Sequence, residues 1–334
     1  MLEGMMTLPP LEEMIARAHV VSLPMRVKFR GVLEREVMIF EGPVGFSEFS
    51  PFLEYGPDEA SAWLAAAIEA GWEGFPEPVR DAVPVNATVP AVSVDGVHSV
   101  LANYDATHTV KVKVAERGQD LAADVARVAE VRRLLPDAAI RIDANEGWNH
   151  EQALAALEAL APYCLQYAEQ PVAGIGGLRR LRLEVARRGL GVLIAADESV
   201  RKESDPIAVA RQDAADLIVV KAQPLGGVRR ALDIVTRAGL PAVVSSALDS
   251  SVGLRMGAAL AAALPELPFA CGLGTGSLLA ADVTTDPYTA VDGELDLREV
   301  IADPELLERH AALAERVDWW MRRLRLAYAR LEAR

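Results

Sequence analysis

The chain of 334 residues is half hydrophobic and a quarter charged, with a net charge of −14, which is globular composition and length enough for one large α/β unit or two domains. The acidic balance disfavours nucleic acid and anionic membrane as partners, since both need clustered cationic surface. No apolar run approaches the roughly 20 residues of a membrane span. The start, MLEGMMTLPPLEEMIARAHVV, lacks the cationic head and continuous apolar core of a signal peptide, so a cytoplasmic protein is expected. Cys164 and Cys271 have no metal-type spacing and fit free thiols in a reducing compartment.

In chain order, MRVKFRG and EREVMIFEG have the pattern of two strands joined by a short turn, and DEASAWLAAAIEAGW follows as a helix. Residues 1–82 are therefore expected to form a small α+β unit. From Val83 the pattern changes to short apolar strands at 83–91, 109–115, 139–146, 165–171, 191–199, 216–223, 241–250 and 269–276, separated by Ala- and Leu-rich amphipathic helices. Eight such repeats predict a (β/α)8 barrel over 83–287. The competing architecture, an open doubly wound sheet, calls for a glycine-rich phosphate turn after its first strand, and VPVNATVPAVSV has none. The tail, 288–334, ends in PELLERHAALAERVDWWMRRLRLAYARLEAR, read as one long amphipathic helix returning to complete the N-terminal unit. Trp319 and Trp320 fit core or a subunit interface, with core preferred; the oligomeric state is left open.

In a barrel of this kind the carboxyl ends of the strands form the functional mouth. TVKVKVAE, residues 109–116, alternates in period two, so Lys111 and Lys113 share one side of a strand and Val110, Val112 and Val114 the other. Asp143, Glu169 and Asp197 each end an otherwise apolar strand, and Lys221 follows four apolar residues. Singly, each carboxylate serves as readily as a helix N-cap, and each lysine as a solvated strand end. Together, carboxylates on three consecutive strands between lysines make a site. Like charges at close range call for a cation among them, and all-oxygen donors suit Mg²⁺ better than zinc. Lys113 and Lys221 then face each other across the barrel, with Lys113 nearer the strand end than Lys111. The set fits removal of a proton α to a carboxylate, where a metal stabilises the enediolate and a lysine takes the proton.

The K-x-K of VKVKV, Asp143 in RIDANEGW, Glu169 in AEQP, Asp197 in ADES, Lys221 in VVKAQPLGG, and SSALDSSVG followed by GLGTG resemble, in order and along essentially the whole chain, the enolase superfamily. Lysines on strands two and six resemble its muconate lactonising group, which includes cycloisomerases, dipeptide epimerases, N-acylamino acid racemases and o-succinylbenzoate synthases. GLGTGSLLAADV lacks the Asp-x-Asp usual in the epimerases. The compact length, RIDAN and SSALDSSVG look most like the o-succinylbenzoate synthase family.

The resemblance implies a modified (β/α)8 TIM-type barrel with an α+β capping domain made from the N-terminal segment and the C-terminal tail. It implies Mg²⁺, with Mn²⁺ able to substitute, on Asp143, Glu169 and Asp197, and a small carboxylate substrate. Lys113 would be base and then acid in a syn dehydration belonging to menaquinone biosynthesis, and Lys221 the cation beside the enediolate. Lys111 is expected to support Lys113 electrostatically, Arg141 and Asn145 to order water and substrate, and Ser245, Ser246, Gly272 and Gly274 to receive a succinyl tail. The glycines fit a packing role equally. Asp249 departs from the Glu of many relatives. N-acylamino acid racemisation, with Lys113 and Lys221 as paired acid and base, is the alternative, alone or alongside; a non-catalytic ligand-binding barrel is the remote one. MRVKFRG and GFSEFSPFLEYG are the segments expected to close over substrate.

Overall fold

Residues 8–29, 32–200 and 205–333 are described by a computed structural model of the chain. Three antiparallel strands come first, β1 (Ala18–Phe29), β2 (Val32–Glu41) and β3 (Phe46–Phe49), in the order β1-β2-β3. Their register, with Ala18 opposite Phe40 and Val21 opposite Val37, puts successive side chains on opposite faces. Val21, Leu23, Val37 and Ile39 join the large core shared with the barrel. Val20, Met38, Phe40 and Phe49 join a second core with Met14, Trp63, Leu64, Trp320 and Leu324. Both faces are thus buried, which explains the continuous apolar run VMIF where a half-exposed strand would alternate. MRVKFRG lies largely inside β1 rather than in a loop, and its Arg30 and Gly31 fall outside the described residues.

The helix Pro57–Ile68 and the helix Ala314–Glu332 pack together against this sheet. The tail is not one helix: it breaks between Pro304–Arg309 and Ala314–Glu332. The break has a physical cause. β1 is an edge strand, and the intervening residues pair with it, Ser22 N donating to His310 O and Ala312 N to Val20 O, each at 2.9 Å. Edge amides that would otherwise lie open are covered.

The remaining strands are β4 (Ala82–Pro84), β5 (Ala87–Val89), β6 (Thr109–Lys113), β7 (Ala139–Asp143), β8 (Leu165–Glu169), β9 (Leu193–Ala196), β10 (Leu217–Val220), β11 (Ala242–Val244) and β12 (Glu294–Asp296). β5 to β11 form one parallel sheet in sequence order, curled into a barrel, and β12 pairs with β4. The expected strand at 83–91 is therefore split between two sheets. The expected eighth strand, 269–276, contracts to Cys271 and Gly272, and the chain then winds into a 3-10 turn at Gly274–Leu278. Those two residues bridge β11 to the residues ahead of β5: Gly272 N donates to Val244 O at 2.8 Å and Asn86 N to Cys271 O at 2.9 Å. Close approach at this seam explains its glycines. A Cβ on Gly272 would lie 2.5 Å from Ser245 Oγ, and one on Gly274 would lie 2.6 Å from Asn86 O.

Outside the barrel, Val110, Val112, Ile140, Ile142, Ile194, Ile218 and Val244 pack under the helices. Inside it, Tyr167, Ala195, Leu217, Val219 and Val243 fill the lower layer with Phe269. Among the described residues no helix is long and apolar enough to cross a membrane.

Candidate active site

The interior layer decides what stands at the mouth. Strand side chains repeat every two residues, so Glu169 rises above Tyr167, Asp197 above Ala195, Lys221 above Val219 and Ser245 above Val243. On β6 and β7 the same step puts Lys113 above Lys111 and Asp143 above Arg141, and all four are buried. The period that fills the barrel floor with apolar side chains delivers charged ones to its rim.

There the lysines and carboxylates pair. Lys113 Nζ donates to Asp143 Oδ2 at 2.5 Å and to Asn145 Oδ1 at 2.7 Å. Lys111 Nζ, one layer deeper, lies 3.1 Å from Glu169 Oε1 and 3.5 Å from Asp143 Oδ2. Lys221 Nζ donates to Asp197 Oδ1. Lys111, Lys113, Asp143, Asp197, Lys221 and both Ser245 and Ser246 line one cavity. Around it, Asn145 Nδ2 donates to Glu198 at 3.2 Å, and Gln170 Oε1 accepts from the Asp197 amide at 2.9 Å, which fixes the loops that end β7 and β9.

The electrostatics of the group are strained in one direction. Burial alone would depress the Lys111 ammonium, but Glu169 and Asp143 outweigh it and hold its pKa above the ordinary lysine range. Glu169 moves upward as well, first through burial and then through the Asp143 carboxylate beside it, with Asp197 adding to the effect. Three carboxylates end β7, β8 and β9 side by side, and each is balanced by a lysine. Among the described residues no three His, Cys, Asp or Glu side chains are drawn into a ready-made metal cage, because the carboxylates reach toward lysines instead. The donor set nevertheless fits a hard divalent cation: the groups are all-oxygen, buried and on adjacent strands, and the burial and carboxylate repulsion that push Glu169 upward are what a dication among them would offset.

The other expected site residues are distributed unevenly. Arg141 lies at the floor of the barrel, not at the mouth: Nη1 donates to Tyr167 Oη at 2.9 Å and to Ala270 O at 2.8 Å, and Nη2 to Gln166 Oε1 at 2.6 Å. A two-residue step along the strand, with Ile142 between, puts it a full layer below Asp143. Ser246 is hydrogen-bonded side chain to side chain with Thr275 at 2.5 Å, and Gly272 and Gly274 sit at the seam described above. Phe52, Thr88, Ala247, Leu248 and Thr275 also line the cavity, and sequence reasoning did not single them out. Thr88 carried a usable signal, as the polar residue between Ala87 and Val89 on the first barrel strand. Phe52 lay inside GFSEFSPFLEYG but carried no mark of its own.

Comparison with known proteins agrees with this geometry. Residues 97–301 match the family model described as enolase C-terminal domain-like, and residues 20–71 match the enolase N-terminal domain-like model. Curated o-succinylbenzoate synthases of Mycobacterium bovis and Mycolicibacterium smegmatis are each 50% identical to this chain, over 97% of both chains for the first and over 96% of this chain and 98% of the relative for the second. The relative from Mycobacterium marinum is 50% identical over 100% of this chain and 99% of its own. Among solved structures, muconate lactonizing enzyme from Pseudomonas putida aligns at TM-score 0.72 and 21% identity, covering 88% of this chain and 98% of its own. 2-Chloromuconate cycloisomerase from Rhodococcus opacus aligns at TM-score 0.73 and 24% identity, covering 89% and 98%. These two likenesses are of fold alone. With half its residues shared with curated synthases along nearly its entire length, and both enolase-type models matched in order, the chain belongs to the o-succinylbenzoate synthase family of the enolase superfamily.

Proposed function

We infer that this protein is an o-succinylbenzoate synthase, a carbon–oxygen lyase that removes water from 2-succinyl-6-hydroxy-2,4-cyclohexadiene-1-carboxylate to give 2-succinylbenzoate, a reaction of menaquinone biosynthesis. The observation that carries the reading is the gathering of Lys113, Asp143, Asp197 and Lys221 around one cavity in a chain half identical to curated synthases. In this reading Lys113 in its neutral form takes the proton from C1. The same nitrogen then returns that proton to the hydroxyl leaving C6, so that one water departs and the ring becomes aromatic. A single base on one face gives syn geometry. Lys221 stays protonated and balances the charge growing on the substrate carboxylate.

Enolase superfamily enzymes typically use a divalent metal; Asp143, Glu169 and Asp197 would hold it here, with Mg²⁺ the preferred ion and Mn²⁺ a substitute. When bound there, a dication would supply positive charge against the negative charge that proton removal places on the substrate carboxylate. An ammonium accepts no proton, so Lys113 acts as a base only once its bond to Asp143 is given up and one proton of Nζ has passed to solvent. Asn145, bonded to both Lys113 and Glu198, is suited to keep the lysine on station through that change. We take 1–82 with 288–334 as the cap and 83–287 as the barrel, supported by the apolar cluster that Met14, Phe49, Trp63, Trp320 and Leu324 share. A cytoplasmic location fits a soluble small-molecule substrate.

The test is to supply the cyclohexadiene with Mg²⁺ and follow its loss by ultraviolet absorbance. Lys113→Ala is expected to lower turnover by about 10²–10⁴-fold, the usual contribution of a general base; undiminished turnover overturns its role. Because Lys113 and Lys221 line the same cavity, N-acylamino acid racemisation is a second reading. Solvent deuterium entering the α-position of N-succinyl amino acids would reveal it.

A further inference from the structure

A second charged cluster is buried where the cap meets the barrel, and the chemistry above does not use it. Arg35 of β2, Glu48 near the end of β3 and Asp249 of the loop after β11 are all inaccessible to solvent. Arg35 sends its hydrogen bonds to main-chain carbonyls: Nε to Leu248 at 3.0 Å, Nη2 to Ser50 at 2.5 Å and Ala247 at 3.3 Å, Nη1 to Glu36 at 3.4 Å. Its guanidinium carbon also stands 4.8 Å from the centre of the Phe52 ring. Glu48 accepts from Ser50 Oγ at 2.5 Å, and from Ser250 N and Oγ at 3.0 and 2.5 Å. Asp249 accepts from the Ala247 amide at 3.1 Å. Gly253 makes room for this knot, since a Cβ there would lie 2.7 Å from the Glu48 carboxyl carbon.

The two segments so tied, 50–52 of the cap and 247–250 of the barrel, carry Phe52, Ala247 and Leu248 into the substrate cavity. Leu248 has φ +61°, a left-handed conformation for a branched side chain, and its carbonyl is the one held by Arg35 Nε. A joint needed only for cohesion is served as well or better by apolar side chains. What a guanidinium adds is a rigid fork that fixes several carbonyls at once and a flat face for a ring.

We propose that Arg35 is a positioning residue for the substrate, acting by setting the apolar wall that Phe52, Ala247 and Leu248 present to the cavity. The inference rests on the functional reading above and deepens it: this wall takes the hydrocarbon part of the substrate while the lysines and carboxylates take its charged end. Such a wall touches the ground state and the transition state alike, so disturbing it changes KM and spares kcat. A purely structural role would lower the folded fraction and leave the KM of the folded enzyme alone.

Two variants separate these outcomes. Arg35→Lys keeps the charge and loses the fork; Phe52→Ala removes the ring and leaves Arg35 in place. In the Mg²⁺-loaded enzyme each is expected to raise KM about tenfold with kcat changed less than about threefold, and the double variant to fall short of the product of the two single effects. Circular dichroism and thermal melting establish that each variant is folded at the assay temperature. Folded Arg35→Lys with a KM within about twofold of wild type overturns the proposal. Should Arg35→Lys not fold, Phe52→Ala decides: an unchanged KM overturns the proposal, and a raised KM at constant kcat supports it. Wild type that does not dehydrate the cyclohexadiene overturns the functional reading and this inference with it, whereas active wild type with insensitive variants overturns this inference alone.

Discussion

The protein buries charge in two places that are built differently. In the barrel mouth, lysine nitrogens meet carboxylate oxygens side chain to side chain, as Lys113 does Asp143 and Lys111 does Glu169. At the joint, among the described residues, Arg35 sends its hydrogen bonds to main-chain carbonyls, and Glu48 and Asp249 take main-chain amides among their donors. Each cluster holds a carboxyl pushed upward by burial and then by a neighbouring carboxylate, Glu169 by Asp143 and Glu48 by Asp249. Perturbed acidity therefore does not distinguish a reactive cluster from a fixed one. The partners do. Side chains that hold one another can exchange partners when a cation and substrate arrive, while side chains that hold the backbone cannot move without moving the loops.

The widest separation between the two should come from Glu169→Gln. Turnover is expected to fall by about 10³-fold, or about 4 kcal/mol in barrier. The unfolding free energy measured with a chelator should stay within about 1 kcal/mol of wild type, because the charge removed is one that burial and Asp143 disfavour and Asp143, 3.5 Å from Lys111 Nζ, still balances that ammonium. A large loss of stability would mean that the mouth is held together by its charges. Arg35→Met is the opposite case. It leaves Glu48 and Asp249 buried without their cation, and urea unfolding is expected to show a loss of about 3 kcal/mol. A variant as stable as wild type would mean that the joint relies on its apolar surroundings and that the fork is dispensable to the fold.

How much of this could be read from the sequence differed between the two clusters for a physical reason. The mouth was legible because strand periodicity is local: the residues between Val110 and Lys113, or Leu217 and Lys221, already state which side chains share a face, and the barrel then brings those faces together. Depth was read from strand position for Lys111 and Lys113 but not for Arg141, which pairs in register with the deeper lysine. Arg141 and Asp143 point the same way, and only the closed barrel showed the first bonded to Tyr167 on the floor and the second to Lys113 at the rim. The joint was not legible because its partners are far apart in sequence. Arg35 meets Leu248 across 213 residues, and Glu48 meets Ser250 across 202. The helix Val228–Ala238 follows the same rule: Gly227 offers no side chain to cap it, and Glu69 of the cap accepts from its Val228 amide at 2.5 Å. The broken C-terminal helix is a third instance, since HAAL carries no breaker and is extended only because β1 has an open edge.

The smallest effect tests how charge is balanced at the joint. Burial first, then Asp249, push the Glu48 carboxyl up to about 7, against the opposing pull of Arg35, Ser250 and Ser50. The other charges acting on Arg35 are Asp249, Glu54 and Glu36. In the unfolded chain Glu48 titrates near the ordinary 4.5, so between 4.5 and about 7 the folded protein binds more protons than the unfolded one. The Glu48 contribution to stability must then fall as pH rises through that window and level off above it, with a slope of at most about 1.4 kcal/mol per pH unit. Glu48→Gln keeps an acceptor for Ser250 and removes the titration, so it should be the less stable partner of the comparison at acid pH and gain on wild type toward pH 8. Urea midpoints of both proteins across this range measure the difference, and adding Mg²⁺ should leave it unchanged, because the joint has no part in holding the metal. Parallel curves would mean that Glu48 is ionised throughout, and the joint would then hold two full negative charges against one arginine rather than one charged and one neutral acid.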